Sequence, residues 1–504
     1  MTQKTLRPGR LAAAQPVTGG TSLSRRSLLA GVGAATLTAS CSDFSTGSGP
    51  QSPPNIVFIM ADDLGYADLS CFGRRDYETP RIDSLAAEGV RLTSAYSNSP
   101  VCSATRTALM SGQYQYRLPV GLEEPLATRN VGFPSGHVSL PSILQAAGYQ
   151  TALVGKWHLG RLPDYSPLTS GYDHFWGYRN GGVDYFSHTM GGRPDLWDGD
   201  VPVEETGYLT DLLGQQAINQ VEAFARNGRP FMLSLHFSAP HWPWEGPGDT
   251  AESDRLSANP NPLGLLHFDG GTLATYAEMV TRLDHQVGRL LDTLDRLRLS
   301  DNTIVVFTSD NGGERFSDTW PFSGRKTELL EGGIRVPTLM RWPGRTTSGA
   351  EINAPVMSMD WLPTLAAAAQ AGIPENYAPD GLDIAPLLAG DGLPERDLFW
   401  RFKVHDQKAV RHGRWKYLSI AGREFLFDVV ADPLERGNLK DRYPDEFAAL
   451  KARYDAWNAT MLPYDEASFS HAFNGSELAD RFGVDPSESV VGNAMPPGPR
   501  NGGH

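Results

Sequence analysis

Three short, continuous apolar runs constrain the fold of this chain more than any other feature. Asn55-Ile56-Val57-Phe58-Ile59-Met60 stops at Ala61-Asp62-Asp63. Residues 231–237 form the second run, and Thr303-Ile304-Val305-Val306-Phe307-Thr308, which stops at Ser309-Asp310-Asn311-Gly312-Gly313, forms the third. A strand with one wet face alternates apolar and polar residues, so a run apolar at nearly every position reads as a strand buried on both faces. Between the second and third runs, Met279, Leu283, Val287, Leu290, Leu294 and Leu297 recur at steps of three and four, the period of an amphipathic helix. Residues 140–147 read as a further helix, followed by a short strand over 151–154. Strands alternating with helices predict an α/β domain over residues 55–390, with a large mixed sheet sandwiched by helices. In such sheets ligands bind beyond the carboxyl ends of the strands, and two of the three runs end there in acidic and amide residues.

The texture changes after a loop at about residues 389–394. Residues 409–418 and 424–428 read as two antiparallel strands, and 444–461 as a helix, which predicts a smaller C-terminal α+β domain over 391–465. A chain of 504 residues is long enough for both. Residues 466–504 form an extension, rich in Pro, Gly and Asn from about 487 and expected to be disordered at its end.

The first 41 residues read as an export signal. Ser24-Arg25-Arg26-Ser27-Leu28-Leu29 leads into an apolar stretch to Leu37, too short to span a bilayer. The paired arginines resemble a twin-arginine signal. Thr38-Ala39-Ser40-Cys41 resembles a bacterial lipobox with Thr38 in place of the usual Leu, so two outcomes stay open. Either Cys41 is lipidated and anchors the protein to a membrane, or cleavage near Ser40 releases it into the periplasm. Residues 42–54, rich in Ser, Gly and Pro, read as a flexible tether.

The formal net charge of −14 argues against a nucleic-acid partner, because phosphate requires a basic surface. It leaves room for an anionic substrate held by a local cluster of cations. Three cysteines, Cys41, Cys71 and Cys102, cannot build a disulfide framework. Cys71 reads as a small buried hydrophobe.

Asp62, Asp63, Asp310 and Asn311 offer an all-oxygen ligand set of the kind hard divalent cations prefer, with Ca²⁺ more tolerant of its flexibility than Mg²⁺. Turns are rich in Asp, so on these four residues alone a metal site and a pair of strand-end turns are level. The segment Pro100-Val101-Cys102-Ser103-Ala104-Thr105-Arg106-Thr107-Ala108-Leu109-Met110-Ser111-Gly112 decides between them. It resembles the signature of type I sulfatases, within the alkaline phosphatase superfamily: Cys, any residue, Pro or Ala, a small hydroxyl residue, Arg, and later Leu or Met, Ser or Thr, and Gly. Ala104 and Thr105 stand where Pro and Ser are commoner. The resemblance covers about residues 55–461 and includes Leu426-Phe427-Asp428 through Asn438-Leu439.

The resemblance implies a sulfuric ester hydrolase of arylsulfatase type, with an alkaline phosphatase-like fold. A formylglycine-generating or equivalent enzyme would oxidise Cys102 to formylglycine (3-oxoalanine). One hydroxyl of the hydrated aldehyde would attack sulfur, giving a covalent sulfo-enzyme and releasing the alcohol. The second hydroxyl would then lose its proton and expel sulfate. Asp62, Asp63, Asp310, Asn311 and the modified Cys102 would hold Ca²⁺, with Mg²⁺ less suited. Arg106 would hold the formylglycine hydroxyl and balance the carboxylates. Lys156, in Gly155-Lys156-Trp157-His158, would bind a sulfate oxygen, and His158 would take the proton in the elimination. His241, in Pro240-His241-Trp242-Pro243, would bind sulfate or protonate the leaving oxygen, and Lys326 would contact both sulfate and leaving group. Taken singly, each Lys or His reads as a surface or loop residue; their joint order supports the site. His236 reads as core, and His188 as a weaker candidate for the substrate pocket. Trp157, Trp176, Tyr185, Trp242 and Trp244 either stack on substrate rings or pack the core, and core is expected for at least half. Sulfated carbohydrate is the expected substrate class of an exported enzyme. Two other readings are a phosphonate or phosphodiester hydrolase using the same nucleophile, and an inactive surface lipoprotein that binds sulfated glycans.

Overall fold

The computed structural model describes residues 53–471 except 128, 260 and 261. The export signal with Cys41, most of the tether, and residues 472–504 lie outside the described residues. Among the described residues the central sheet has ten strands: β1 (Asn55–Ala61), β2 (Val90–Leu92), β3 (Gln150–Lys156), β4 (His174–Tyr178), β5 (Trp197–Asp198), β6 (Val201–Pro202), β7 (Phe231–His236), β8 (Thr303–Ser309), β9 (Leu339–Arg341) and β10 (Ala350–Ile352). Their spatial order is β10-β2-β9-β8-β1-β7-β3-β4-β5-β6. The central five, β8, β1, β7, β3 and β4, run parallel, whereas β9 pairs antiparallel with β8 and β5 with β4. The predicted mixed sheet is present, and its three apolar runs lie side by side at its centre.

Helices α1 (Pro80–Glu88), α2 (Cys102–Ser111), α3 (Leu140–Ala146), α4 (Leu209–Asn227), α5 (Leu273–Arg296) and α6 (Trp361–Ala368) flank the sheet. Alternate residues of β1 feed two separate cores. Val57 and Ile59 join α1, α4 and α5 on one face, while Ile56, Phe58 and Met60 join α3 and α6 on the other. Burial on both faces is why β1 and β8 carry no polar alternation. Met279, Leu283, Val287, Leu290 and Leu294 of α5 are all fully buried, each contributing about 1.5–3 kcal/mol. The Thr272 side chain accepts a hydrogen bond from the Thr275 N–H and caps this helix. None of the helices among the described residues is long and apolar enough to cross a membrane.

The C-terminal region differs from the two expected strands. It is a four-stranded antiparallel sheet: β11 (Asp397–Phe402), β12 (Gln407–His412), β13 (Trp415–Ile420) and β14 (Arg423–Asp428). The run over 409–418 breaks because Gly413, at φ 55°, and Arg414 form a two-residue hairpin turn between paired His412 and Trp415. Helix α7 (Pro444–Asn458) packs on this sheet. One apolar cluster joins Trp400, Leu418 and Tyr454 of this region to Val101, Ala104 and Ala108 beside and within α2. Two hydrogen-bonded contacts reinforce the junction. The Trp400 indole N–H donates to the Ser97 carbonyl at 2.8 Å. Lys416 of β13, fully buried, lies 2.9 Å from both Glu331 and Glu435. Tyr96 donates to the other oxygen of Glu331.

Removing the cation would take the Lys416 charge from Glu435 and leave Glu331 with Arg335 and Tyr96 alone. Lys416→Met is expected to destabilise the protein by about 3–5 kcal/mol. The measurement is the urea or thermal unfolding midpoint, and an unchanged midpoint would show that this triad does not hold the C-terminal sheet in place.

Candidate active site

Strand register brings the charged residues to one level. Ser309 of β8 pairs with Ala61 of β1, Met60 of β1 with His236 of β7, and His236 with Gly155 of β3. The next residues along these strands are therefore Asp310, Asp62 and Lys156, side by side at the carboxyl edge of the sheet. The fit is close. A Cβ at Gly155 would fall 1.8 Å from the His236 carbonyl oxygen, and Gly155 sits at φ 113°, so only glycine allows β3 to approach β7 here.

Cys102 is the first residue of α2, after extended Val101. Arg106 follows one turn later on the same face. All ten residues of α2 are buried, and Ser, Ala and Thr between the larger side chains let the helix lie deep against the sheet. The Arg106 guanidinium donates through Nε and Nη2 to Asp310 Oδ2 at 3.1 and 2.9 Å, and through Nη1 to the Lys156 carbonyl at 3.2 Å. Lys156 pairs with Asp62. Lys326 donates to Asp63 Oδ2 at 2.6 Å, and the Asn311 amide to Asp63 Oδ1 at 2.7 Å. His241 Nε2 lies 3.6 Å from Asp63 Oδ2. Cys102 Sγ lies 3.2 Å from His158 Nδ1. Asp62, Asp63, Cys102, Arg106, Lys156, His158, His241, Asp310, Asn311 and Lys326 are all buried and converge on one centre.

Two acceptor oxygens within this centre have no hydrogen-bond partner although they are buried: Asp62 Oδ1 and Asn311 Oδ1. Buried oxygens of this kind are normally satisfied. Oxygens of Asp62 and Asp310 lie within 4.8 Å of each other and of Cys102 Sγ. Burial first, and the Asp310 charge second, push the Asp62 carboxyl up to about 8. Asp310 is held below its ordinary value, because Arg106, Lys156 and Lys326 outweigh the cost of its burial. Crowded carboxylates and orphan oxygens are what a bound divalent cation relieves. Asp62, Asp63, Asp310 and Asn311 therefore fit a hard metal ion.

The histidines are neutral. Burial, followed by the charge of Lys156, holds His158 well below 6.5. Its Nε2–H donates to the Leu126 carbonyl at 2.8 Å, which leaves the Nδ1 lone pair facing Cys102. Burial, then Lys326 and Lys156, likewise depress His241, whose Nδ1–H donates to the Trp242 carbonyl at 2.8 Å. Burial lowers the Lys326 ammonium's proton affinity, but Asp63 and the other acidic groups around it together outweigh that, and the group stays charged. Burial raises the Cys102 thiol above 9. As a plain cysteine it would be a poor thiolate nucleophile at neutral pH.

Several residues stand elsewhere than the sequence suggested. His236 is core as expected, but it has a charged partner: its Nδ1 accepts from Arg106 Nη1 at 3.1 Å, and burial and Arg106 drive its pKa down to about 3. A polar residue at the carboxyl end of an apolar strand was the available signal, since a buried imidazole requires a partner. His188 stands apart, its Nε2 on the Gly207 carbonyl at 3.1 Å. Cys71 is half-buried rather than buried. Trp157, Trp176, Tyr185 and Trp244 are buried. Trp242 is half-buried and lies with its ring centre 6.0 Å from Lys326 Nζ. Glu314 had no sequence signal. It is buried without a hydrogen bond to either carboxyl oxygen, and burial raises it to about 8 beside Lys326 and Asp63.

Comparison with known proteins agrees with this chemistry. Residues 54–371 match the protein-family model described as Sulfatase. The chain is 32% identical over 400 residues to N-acetylgalactosamine-6-sulfatase of Canis lupus familiaris, covering 73% of this chain and 72% of that one. It is also 32% identical over 421 residues to arylsulfatase A of Homo sapiens, covering 76% of this chain and 78% of the relative. Among solved structures, Ps i-CgsB in complex with k-i-k-neocarrahexaose superposes with a TM-score of 0.74 at 29% identity, over 87% of this chain and 99% of that one. The family match runs through every member of the buried cluster from Asp62 to Lys326, and the chain belongs to the sulfatase family, enzymes that hydrolyse sulfate esters.

Proposed function

We propose that this sulfatase cleaves sulfate monoesters of carbohydrates with a formylglycine made from Cys102. The observation that carries the reading is the place of Cys102: a buried thiol with no thiolate character, against the free lone pair of His158, at the meeting point of three carboxylates and three cations. The carbohydrate part is supported by similarity to an N-acetylgalactosamine-6-sulfatase and to a structure holding a neocarrahexaose. The hydrate of formylglycine supplies two hydroxyls on one carbon, so that one attacks sulfur as the S–O bond to the alcohol breaks, and the other loses its proton as the C–O bond to the bound sulfate breaks. Asp62, Asp63, Asp310 and Asn311 would hold a divalent cation, Ca²⁺ in preference to Mg²⁺, whose charge lowers the proton affinity of a neighbouring hydroxyl.

The chain's own residues do the remaining work. Arg106 anchors Asp310 and the base of the Cys102 helix, so residue 102 is held rather than mobile. Three buried carboxylates balance three buried cations, so a divalent ion leaves a net positive site for the sulfate anion. Lys156 and Lys326 are placed to donate to sulfate oxygens as charge builds on them. The Leu126 carbonyl locks His158 in the tautomer that takes a proton at Nδ1, the nitrogen facing residue 102. His241 in its neutral form has the Nε2 lone pair turned toward Asp63. Its Nε2 must first gain a proton before donating to the leaving oxygen, and entry of the sulfate anion favours that gain.

Cys102→Ala is expected to abolish turnover of an aryl sulfate while unfolding midpoint and circular dichroism stay as in wild type. Peptide mass spectrometry across residue 102 of the protein from its native host is expected to show the aldehyde; a protein carrying only thiol there would defeat the mechanism. Thorough chelation is expected to remove activity and Ca²⁺ to restore it, and full activity after chelation would rule out the metal. Neutral His158 is the competent form and its pKa lies well below 6.5. The acid limb that His158 sets in the pH–rate profile should therefore lie well below pH 6.5. His158→Ala should reduce kcat by about 10²–10⁴-fold; a near wild-type kcat would remove the base role.

A further inference from the structure

Trp320 is 65% exposed and Leu273 58% exposed, and these two large apolar side chains line the same cleft, of about 940 Å³. The loop that carries Trp320 joins Asn311 to Lys326 and is not slack. Asp68, fully buried, accepts from the Asp318 N–H at 2.8 Å, the Ser317 hydroxyl at 2.6 Å, the Tyr276 hydroxyl at 2.6 Å and Arg74 at 2.8 Å. Asp318 in turn accepts from the Trp320 N–H at 2.8 Å. An exposed indole on a loop fixed from beneath is a pre-organised surface, and pre-organisation reduces the entropy lost on binding.

The cleft is tied to the segment that follows the Asp62–Asp63 pair. Asp68 also accepts from the Gly65 N–H at 2.7 Å, two residues beyond Asp63, and a Cβ at Gly65 would sit 2.0 Å from Ser317 Oγ. Ser317 of the cleft wall thus packs against Gly65, two residues beyond Asp63. Leu273 begins α5, which leads back to β8, so its N-terminal end lies at the carboxyl edge of the sheet with the site. The charges of the cleft are unequal in their freedom. Asp76 is paired with Arg74, at 3.0 Å, and Asp318 accepts from the Trp320 N–H. Arg75 is exposed and pairs with no carboxylate among the described residues.

We propose that this cleft is a subsite for a neighbouring sugar of a sulfated oligosaccharide, with the ring stacked on Trp320 and an anionic substituent met by Arg75. The inference rests on the sulfate-ester reading and extends it from one sugar to a chain. A pyranose ring presents C–H groups on one face, which suit an indole, and hydroxyl or sulfate groups at its edge, which suit a guanidinium fork.

Wild type, Trp320→Ala and Arg75→Ala are assayed on a small aryl sulfate and on a size series of sulfated oligosaccharides. For Trp320→Ala, KM on the longest hydrolysed oligosaccharide is expected to rise about tenfold, with kcat and all aryl sulfate constants unchanged. Arg75→Ala should raise the same KM by a smaller factor. An unchanged oligosaccharide KM, or a parallel loss on aryl sulfate, would overturn the subsite. Equilibrium binding of the same oligosaccharides to wild type and Trp320→Ala separates the two readings. If no sulfate ester is hydrolysed, the reaction assignment fails, while binding weakened by Trp320→Ala still supports the cleft; equal binding by both proteins, or none by either, defeats it.

Discussion

The structure turns on a buried charge balance. Asp62, Asp63 and Asp310 meet Arg106, Lys156 and Lys326, and none of the six is more than a few per cent exposed. Removing such groups from water costs several kcal/mol each, and only close opposite charges and hydrogen bonds offset it. The fold exists in a form that keeps these charges together. Two carboxylates and one lysine stand at the carboxyl ends of β8, β1 and β3, three of four consecutive parallel strands, so the sheet itself fixes their spacing. Arg106 reaches them from α2, with its guanidinium satisfied by Asp310, His236 and the Lys156 carbonyl.

The third cation, Lys326, arrives from a long loop and has no strand to locate it. Its position is set by what surrounds the loop. Lys326 N–H donates to the Gly313 carbonyl, Gly312 N–H to the Gly333 carbonyl, and Gly332 N–H to the Ser323 carbonyl. A Cβ at Gly333 would fall 2.0 Å from the Glu328 carbonyl, so the Glu331-Gly332-Gly333 segment is glycine-rich because two backbones touch there. Glu331 then runs into Lys416 and Glu435 from the C-terminal region. The small sheet therefore buttresses the far wall of the site, and its apolar contacts with α2 do the same beneath Cys102.

Much of this was legible in the letters. Runs apolar at every position could belong only to strands buried on both faces, and the three runs proved to be central neighbours. The α5 stripe was legible because its period is strict. The hairpin in the C-terminal sheet was not, since Gly413 interrupts a run whose residues otherwise favour strand throughout. Strands β2, β9 and β10 were silent because three residues carry too little pattern to separate a strand from a loop. The partner of His236 was not legible, because apolar neighbours describe a strand's faces and say nothing of what lies beyond its end.

The sequence by itself determined the parts: which strands are buried, which thiol sits in a modification signature, and which acids, lysines and histidines accompany it in order. It did so because burial leaves a compositional trace and because a recognition signature is written in consecutive residues. Only the tertiary structure decided the partnerships. Lys156 faces Asp62 rather than solvent, His158 offers Nδ1 rather than Nε2, and Trp320 is exposed while Trp157, Trp244 and Trp400 are buried. These depend on strand register, on which carbonyl meets which ring nitrogen, and on loops folded back from residues far apart in the chain, and none of that is encoded in local spacing.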